Sequence, residues 1–197
     1  TYTVNHKGEK VAKVELSIPG MHNVYNSLSA FALATCYGVD TDAIVKGIKN
    51  FTGTDRRFQF KGQFNGVNVI DDYAHHPTEI QATINSARGT KLNKLWIMFQ
   101  PHTYTRTYNH LDDFAKVLSE ADHVILLDIY ASREKDTGLV SSKDLRDKIE
   151  ALGGVVTYCP TFNDAEKYAV DNCRKGDMLI TMGAGDVYKI GEKLVRQ

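Results

Sequence analysis

Apolar positions along this chain follow two different rhythms. Residues 2 to 6 and 10 to 17 alternate apolar and polar around Asn5-His6-Lys7-Gly8, the pattern of a β-hairpin that Pro19-Gly20 brings to a stop. Val24, Leu28, Phe31 and Thr35 then recur on one face of a helix that closes at Gly38. Thr41 is placed to cap a second helix carrying Ile44, Ile48 and Phe51 along one side, and Thr52-Gly53-Thr54 breaks the pattern.

After the break the rhythm changes. Strands at 57 to 64 and 67 to 71 flank Asn65-Gly66, the dipeptide best suited to a two-residue hairpin turn. Helix and strand then alternate: helices at 77 to 88, 109 to 120, 142 to 152, 162 to 173 and 186 to 195, strands at 94 to 99, 123 to 128, 155 to 158 and 177 to 182. Leu95 to Phe99 and Val124 to Leu127 are unbroken apolar runs, as strands buried on both faces require. The spacing predicts an α/β fold with a Rossmann-like parallel sheet, helices on both faces and an antiparallel strand pair at its N-terminal side.

Composition narrows the function classes. At 197 residues the chain holds one large domain, or one domain with a piece of another. Lys plus Arg and Asp plus Glu number 24 each, so bulk charge favours neither nucleic acid nor a membrane surface as partner. No apolar run approaches the roughly 20 residues that span a bilayer. Cys36, Cys159 and Cys173 are odd in number and widely spaced, which argues against a zinc site or disulfide framework and for a reducing cytoplasm. The opening at Thr1, inside a hairpin pattern, reads as a piece excised from a longer protein.

Candidate chemistry collects at one edge of the expected sheet. In open parallel sheets, ligands bind beyond the carboxyl ends of the strands, where strand order reverses. Those ends carry Asp71-Asp72-Tyr73-Ala74-His75-His76, then Gln100 to Thr107, then Asp128 with Tyr130 to Glu134, and finally Gly183-Ala184-Gly185-Asp186. Asp71 or Asp72 could cap the helix opened by Pro77. Adjacent His75 and His76 should diverge at a strand-end turn, so no metal site is assigned to them. Arg106 and His102 offer a fork and a point donor suited to a carboxylate or phosphate. Neither a G-x-x-x-x-G-K-S/T phosphate loop nor a complete dinucleotide fingerprint is present in the sequence.

Read in order, Gly20-Met21-His22-Asn23-Val24-Tyr25-Asn26, Arg56-Arg57-Phe58-Gln59, Asp71 to Ile80, Gln100 to Thr107, Tyr130 to Glu134 and Met182 to Val187 resemble the motifs of the Mur ligases. These are the ATP-dependent amino-acid-adding enzymes of peptidoglycan synthesis. The resemblance covers essentially the whole chain and implies that residues 1–53 are the tail of a central ATPase domain and residues 54–197 a C-terminal domain. It implies that L-alanine is joined to UDP-N-acetylmuramate through an acyl phosphate, with ATP and Mg2+ as cofactors. By the same resemblance His22, Asn23 and Asn26 lie on the adenine side of the nucleotide, and Arg57 and Asp72 on its ribose and phosphate side. Tyr73, His75, His102 and Arg106 form the acceptor pocket, with Arg106 pairing the acceptor's carboxylate. No residue is assigned a certain catalytic role, and the chain alone is expected to be inactive.

Some relatives carry Arg where this chain has Thr103, which shifts carboxylate recognition toward Arg106 and His102. The rival within the family is a ligase that reattaches murein tripeptide to the same UDP-sugar. Tyr73 and Glu79 favour alanine over it. From other classes, an isolated nucleotide-binding or regulatory module and a NAD-dependent enzyme are the alternatives. Oligomeric state stays open.

Overall fold

The computed structural model describes residues 1–196, which divide into two units between Thr54 and Asp55. In the first unit, strands β1 (Tyr2–His6) and β2 (Glu9–Val14) pair antiparallel. Lys7 and Gly8 both take positive φ, 51° and 88°, as a two-residue turn matched to strand twist demands. Val4, Ala12 and Val14 from the hairpin bury against Phe31 of α1 (Met21–Cys36) and Ile44 of α2 (Thr41–Asn50). The cap of α2 differs from the sequence expectation. Asp40, not Thr41, accepts the N–H groups of Asp42 and Ala43 at 3.0 and 3.2 Å, and its carboxylate also suits the positive end of the helix.

The second unit is built on a six-stranded sheet of order β3-β4-β8-β5-β6-β7. Strand β3 (Gln59–Phe64) is antiparallel to β4 (Val67–Asp72) across the turn Asn65-Gly66, whose φ values are 49° and 79°. The other strands, β5 (Leu95–Phe99), β6 (His123–Leu126), β7 (Val156–Tyr158) and β8 (Met178–Met182), are parallel to β4. All five residues of β5 and all five of β8 are buried, which accounts for the unbroken apolar run of β5; the one polar residue of β8, Thr181, is buried with its hydroxyl bonded to Asp71. This is the doubly covered α/β sheet that the pattern predicts.

Helices α3 (Pro77–Arg88), α5 (Leu111–Leu118) and α6 (Ser142–Ala151) cover one face through Ile80, Ile84, Phe114, Leu118, Leu145 and Ile149. The other face is covered by α7 (Phe162–Asn172) and α8 (Tyr188–Leu194) through Ala165, Ala169, Ile190 and Leu194. A single helix over 109–120 is not what forms. His110 separates α4 (Tyr104–Asn109) from α5, and the apolar period that suggested one helix belongs to α5 alone. Only Thr107 is buried in α4, so its turns carry no apolar rhythm to read. Strand β3 likewise begins two residues late, because Arg56 and Phe58 take φ of 58° and 47° and keep the chain out of the ladder.

Candidate functional site

Strand β8 enters the sheet last and lies between β4 and β5. The chain leaves β4 and β5 toward helices on one face, whereas it leaves β8 toward α8 on the other. A crevice opens where such connections diverge, so the carboxyl ends of β4, β8 and β5 define the site by topology alone.

The β4 end is closed around charge. Asp71 and Asp72 are 1% and 5% exposed. Arg56 donates from Nε to Asp71 Oδ2 at 3.0 Å, and Thr181 Oγ1 donates to Asp71 Oδ1 at 2.9 Å. The same guanidinium donates from Nη2 to the carbonyls of Gly183 (2.7 Å) and Gly185 (3.2 Å). It lies 4.9 and 4.5 Å from the ring centroids of Tyr73 and Tyr188. Asp72 accepts the N–H groups of Phe58 (2.9 Å) and Ala74 (2.8 Å). Burial pushes both carboxyls above the usual carboxylate range, outweighing the pull of these donors. Neither aspartate caps α3. His76 Nδ1 takes that place, facing Thr78 N at 3.4 Å behind Pro77.

His75 and His76 diverge. The His75 ring packs edge-on to Tyr73 at 5.3 Å and lies 6.0 Å from His102, while His76 packs on His110 at 4.7 Å. Glu79 accepts the His75 backbone N–H at 3.0 Å. Arg57 is half-exposed, with Nη1 4.0 Å from Glu79 and its guanidinium 5.7 Å from the Tyr73 ring.

The β5 end is more open. His102 forms an isolated parallel bridge with Tyr130 and stacks on its ring, with centroids 5.6 Å apart and planes inclined by 26°. Arg106 reaches back from α4, its Nη1 3.0 Å from His102 Nδ1 and 3.4 Å from the His102 carbonyl. Burial first, and then the charges of Arg106 and His75, hold the His102 imidazole below its ordinary pKa. The ring is therefore neutral near pH 7, accepting at Nδ1 and presenting Nε2–H as a donor.

The β8 end seals the crevice floor. A Cβ on Gly183 (φ 143°) would stand 2.6 Å from the Gln100 carbonyl oxygen, and one on Gly185 would stand 2.6 Å from Gln100 Oε1. The Gly-Ala-Gly string thus serves the close approach of two strand ends. Gln100 Oε1 is buried without a hydrogen-bond partner.

Tyr73, His75, His102 and Arg106 of the sequence-based set come together in the second unit, and Arg57 and Asp72 flank them. His22, Asn23 and Asn26 open α1 in the first unit, where Asn23 Nδ2 donates to the Pro19 carbonyl at 2.6 Å and Asn26 Nδ2 to Asn23 Oδ1 at 3.5 Å. The sequence reading missed Arg56. The signal for it was Asp71, a carboxylate at the end of a buried strand whose antiparallel neighbour starts beside that arginine. Among the described residues, no group of three or more His, Cys, Asp or Glu is placed to hold a metal ion.

A family model described as "Mur ligase, glutamate ligase domain" matches residues 56–185. The chain is 54% identical over 196 residues to a UDP-N-acetylmuramate--L-alanine ligase of Lachnospira eligens, covering 100% of this chain and 43% of that protein. It is 51% identical over 197 residues to the enzyme of the same name from Agathobacter rectalis, with the same coverage of each. The chain thus spans under half the length of these relatives. Among solved structures, the UDP-N-acetylmuramate-alanine ligase MurC of Thermotoga maritima superposes with a TM-score of 0.80 at 28% identity, over 96% of this chain and 40% of that one. A murein peptide ligase of Psychrobacter arcticus gives 0.70 at 28% identity, over 98% and 40%.

Proposed function

This chain belongs to the Mur ligase family, and from that membership we propose that it is the acceptor-binding part of an ATP-dependent ligase joining L-alanine to UDP-N-acetylmuramate. The observation that carries the reading is Arg106 beside the neutral ring of His102, in a cluster continued by His75 and Tyr73. A guanidinium fork backed by a neutral N–H donor suits the carboxylate of a small amino acid.

In the proposed reaction the γ-phosphoryl group of ATP passes to the UDP-sugar carboxylate. The acceptor's amine, as the free base, attacks the acyl carbon. The tetrahedral intermediate then collapses to the amide and expels phosphate. This chain contributes positioning: Arg106 and His102 hold the acceptor carboxylate, and Tyr73 and His75 limit the space around its side chain. Within the second unit, Arg57 and Asp72 are assigned to the ribose and phosphate side of the nucleotide. With its oxygens already accepting from Phe58 and Ala74, Asp72 is held in a fixed position in this scheme. The carboxylates of the site are committed to protein donors and do not fit a metal, so Mg2+ is assigned no ligand in this chain and no step is routed through it. No helix among the described residues is long and apolar enough to cross a membrane. We place the enzyme in the cytoplasm, where its nucleotide substrates are made.

The test compares acceptors in the intact enzyme supplied with ATP and UDP-N-acetylmuramate. L-alanine should support amide formation with release of ADP and phosphate. Murein tripeptide should give at most about a hundredth of that kcat/KM. Preference for the tripeptide would transfer the chain to the recycling branch, and no ligation with either would end the reading.

A further inference from the structure

Six non-glycine residues among those described have positive φ: Lys7, Arg56, Phe58, Asn65, Thr103 and Ser132. Lys7 and Asn65 stand in two-residue hairpin turns that call for it. Thr103 is the β-branched member of the set. With φ 66° and ψ 144° it occupies backbone space close to the glycine-only region, where a branched side chain is most strained.

Such a conformation persists only when the surroundings fix it from several sides. Thr103 N donates to the Tyr130 carbonyl at 2.9 Å, just after the His102–Tyr130 bridge. Its own carbonyl accepts from Thr107 N at 3.2 Å and from Thr107 Oγ1 at 2.7 Å, and Thr107 is fully buried. Its Oγ1 faces Arg106 N at 3.4 Å. Glu134 adds a second hold: its carboxylate accepts from Thr105 N at 2.9 Å, two residues beyond Thr103. The loop that supplies Tyr130 therefore grips the turn twice.

What the strained turn accomplishes is visible one residue to either side. It takes the chain from a parallel bridge at His102 directly into α4 at Tyr104. That reversal brings the Arg106 guanidinium back to the ring and carbonyl of His102, at 3.0 and 3.4 Å. We propose that Thr103, braced by Glu134, is a positioning residue whose strained backbone sets the spacing of Arg106 and His102 for the acceptor's carboxylate. The inference rests on the acceptor reading above and names what holds that pair in place.

The experiment is steady-state kinetics of the intact ligase carrying Thr103→Gly, Thr103→Ser, Glu134→Ala or, as control, Arg106→Ala. Glycine releases the strain and lets the turn relax. The expected result is an alanine KM raised about tenfold, with kcat and the KM for ATP each within about twofold and no fall in the thermal midpoint. Thr103→Ser keeps the hydroxyl and should stay within about threefold of the parent KM. Glu134→Ala removes the brace without touching Thr103 and should raise the alanine KM several-fold, so it decides the matter even if the glycine variant folds poorly. If Arg106→Ala raises the alanine KM but neither Thr103→Gly nor Glu134→Ala does, this inference falls alone. If Arg106→Ala leaves that KM unchanged, the acceptor reading falls and takes this inference with it.

Discussion

Two strand ends face each other across the candidate site, and they are built on opposite terms. At the end of β4, every charge is spoken for by protein: Asp71 by Arg56 and Thr181, Asp72 by two backbone N–H groups. At the end of β5, the groups are held but not consumed. Arg106 leans on a neutral imidazole instead of a carboxylate, His102 keeps a free Nε2–H, and the backbone between them is strained. A closed, fully paired frame stands opposite the proposed acceptor site, which has donors to spare. Substitutions on the two sides should therefore fail differently, the first by unfolding and the second by losing ligand.

The sharpest break uses two neighbouring arginines. Arg56→Ala strands the Asp71 carboxylate without its counter-charge and should cost about 3–5 kcal/mol of stability. Arg57→Ala, on a half-exposed side chain, should stay within about 0.5 kcal/mol. Trp96, the one tryptophan in the chain, is buried in β5 and reports the second unit's unfolding in denaturant by fluorescence. Equal losses for the two variants would erase the contrast.

Gly183→Ala strikes where the two ends meet. Its Cβ would press on the Gln100 carbonyl oxygen at 2.6 Å, backbone against backbone, at a φ of 143°. A loss of about 2–3 kcal/mol in the same denaturation assay is expected. A variant as stable as the parent would show that the β8 end is looser than the geometry says.

The smallest effect is on pH dependence, and the two ends carry opposite signs. Asp71 and Asp72 are raised by burial, so their contribution to stability is complete below the ordinary carboxylate pKa of 3.8 and is lost as pH rises through their raised values. His102 is lowered from 6.5. On acidification the unfolded chain binds that proton first, so its contribution is complete above 6.5 and is lost as pH falls toward the lowered value. His102→Gln should flatten the acid-side fall below pH 6.5 while leaving stability at higher pH nearly unchanged. His123, also lowered by burial, keeps part of that slope in the variant. An unaltered slope would mean that His102 titrates alike in both states.

These contrasts also mark what could be read from residues alone. Hairpin dipeptides, unbroken apolar runs and the Pro77 helix start were legible because each is a local physical requirement. The insertion of β8 between β4 and β5 was not, since chain order does not encode which strand slides into the middle. Arg56 and Arg57 are indistinguishable in sequence. A positive φ at the first turns it inward, and only the long-range pairing with Asp71 decides that. Nothing in the Gly-Ala-Gly string itself tells what approaches its backbone so closely. The structure gives the neighbour, Gln100. The grouping of Tyr73, His75, His102 and Arg106 was legible because strand ends gather side chains, but the strained turn at Thr103 beside them leaves no mark in an amino-acid pattern.

The claim at the centre is that Arg106, steadied by His102, receives the acceptor's carboxylate. Its most direct test is an L-alanine titration of the intact ligase carrying Arg106→Ala, at saturating ATP and UDP-N-acetylmuramate. The expected result is an alanine KM raised by about two orders of magnitude, with the ATP KM and thermal midpoint unmoved. An alanine KM within about twofold of the parent would contradict it.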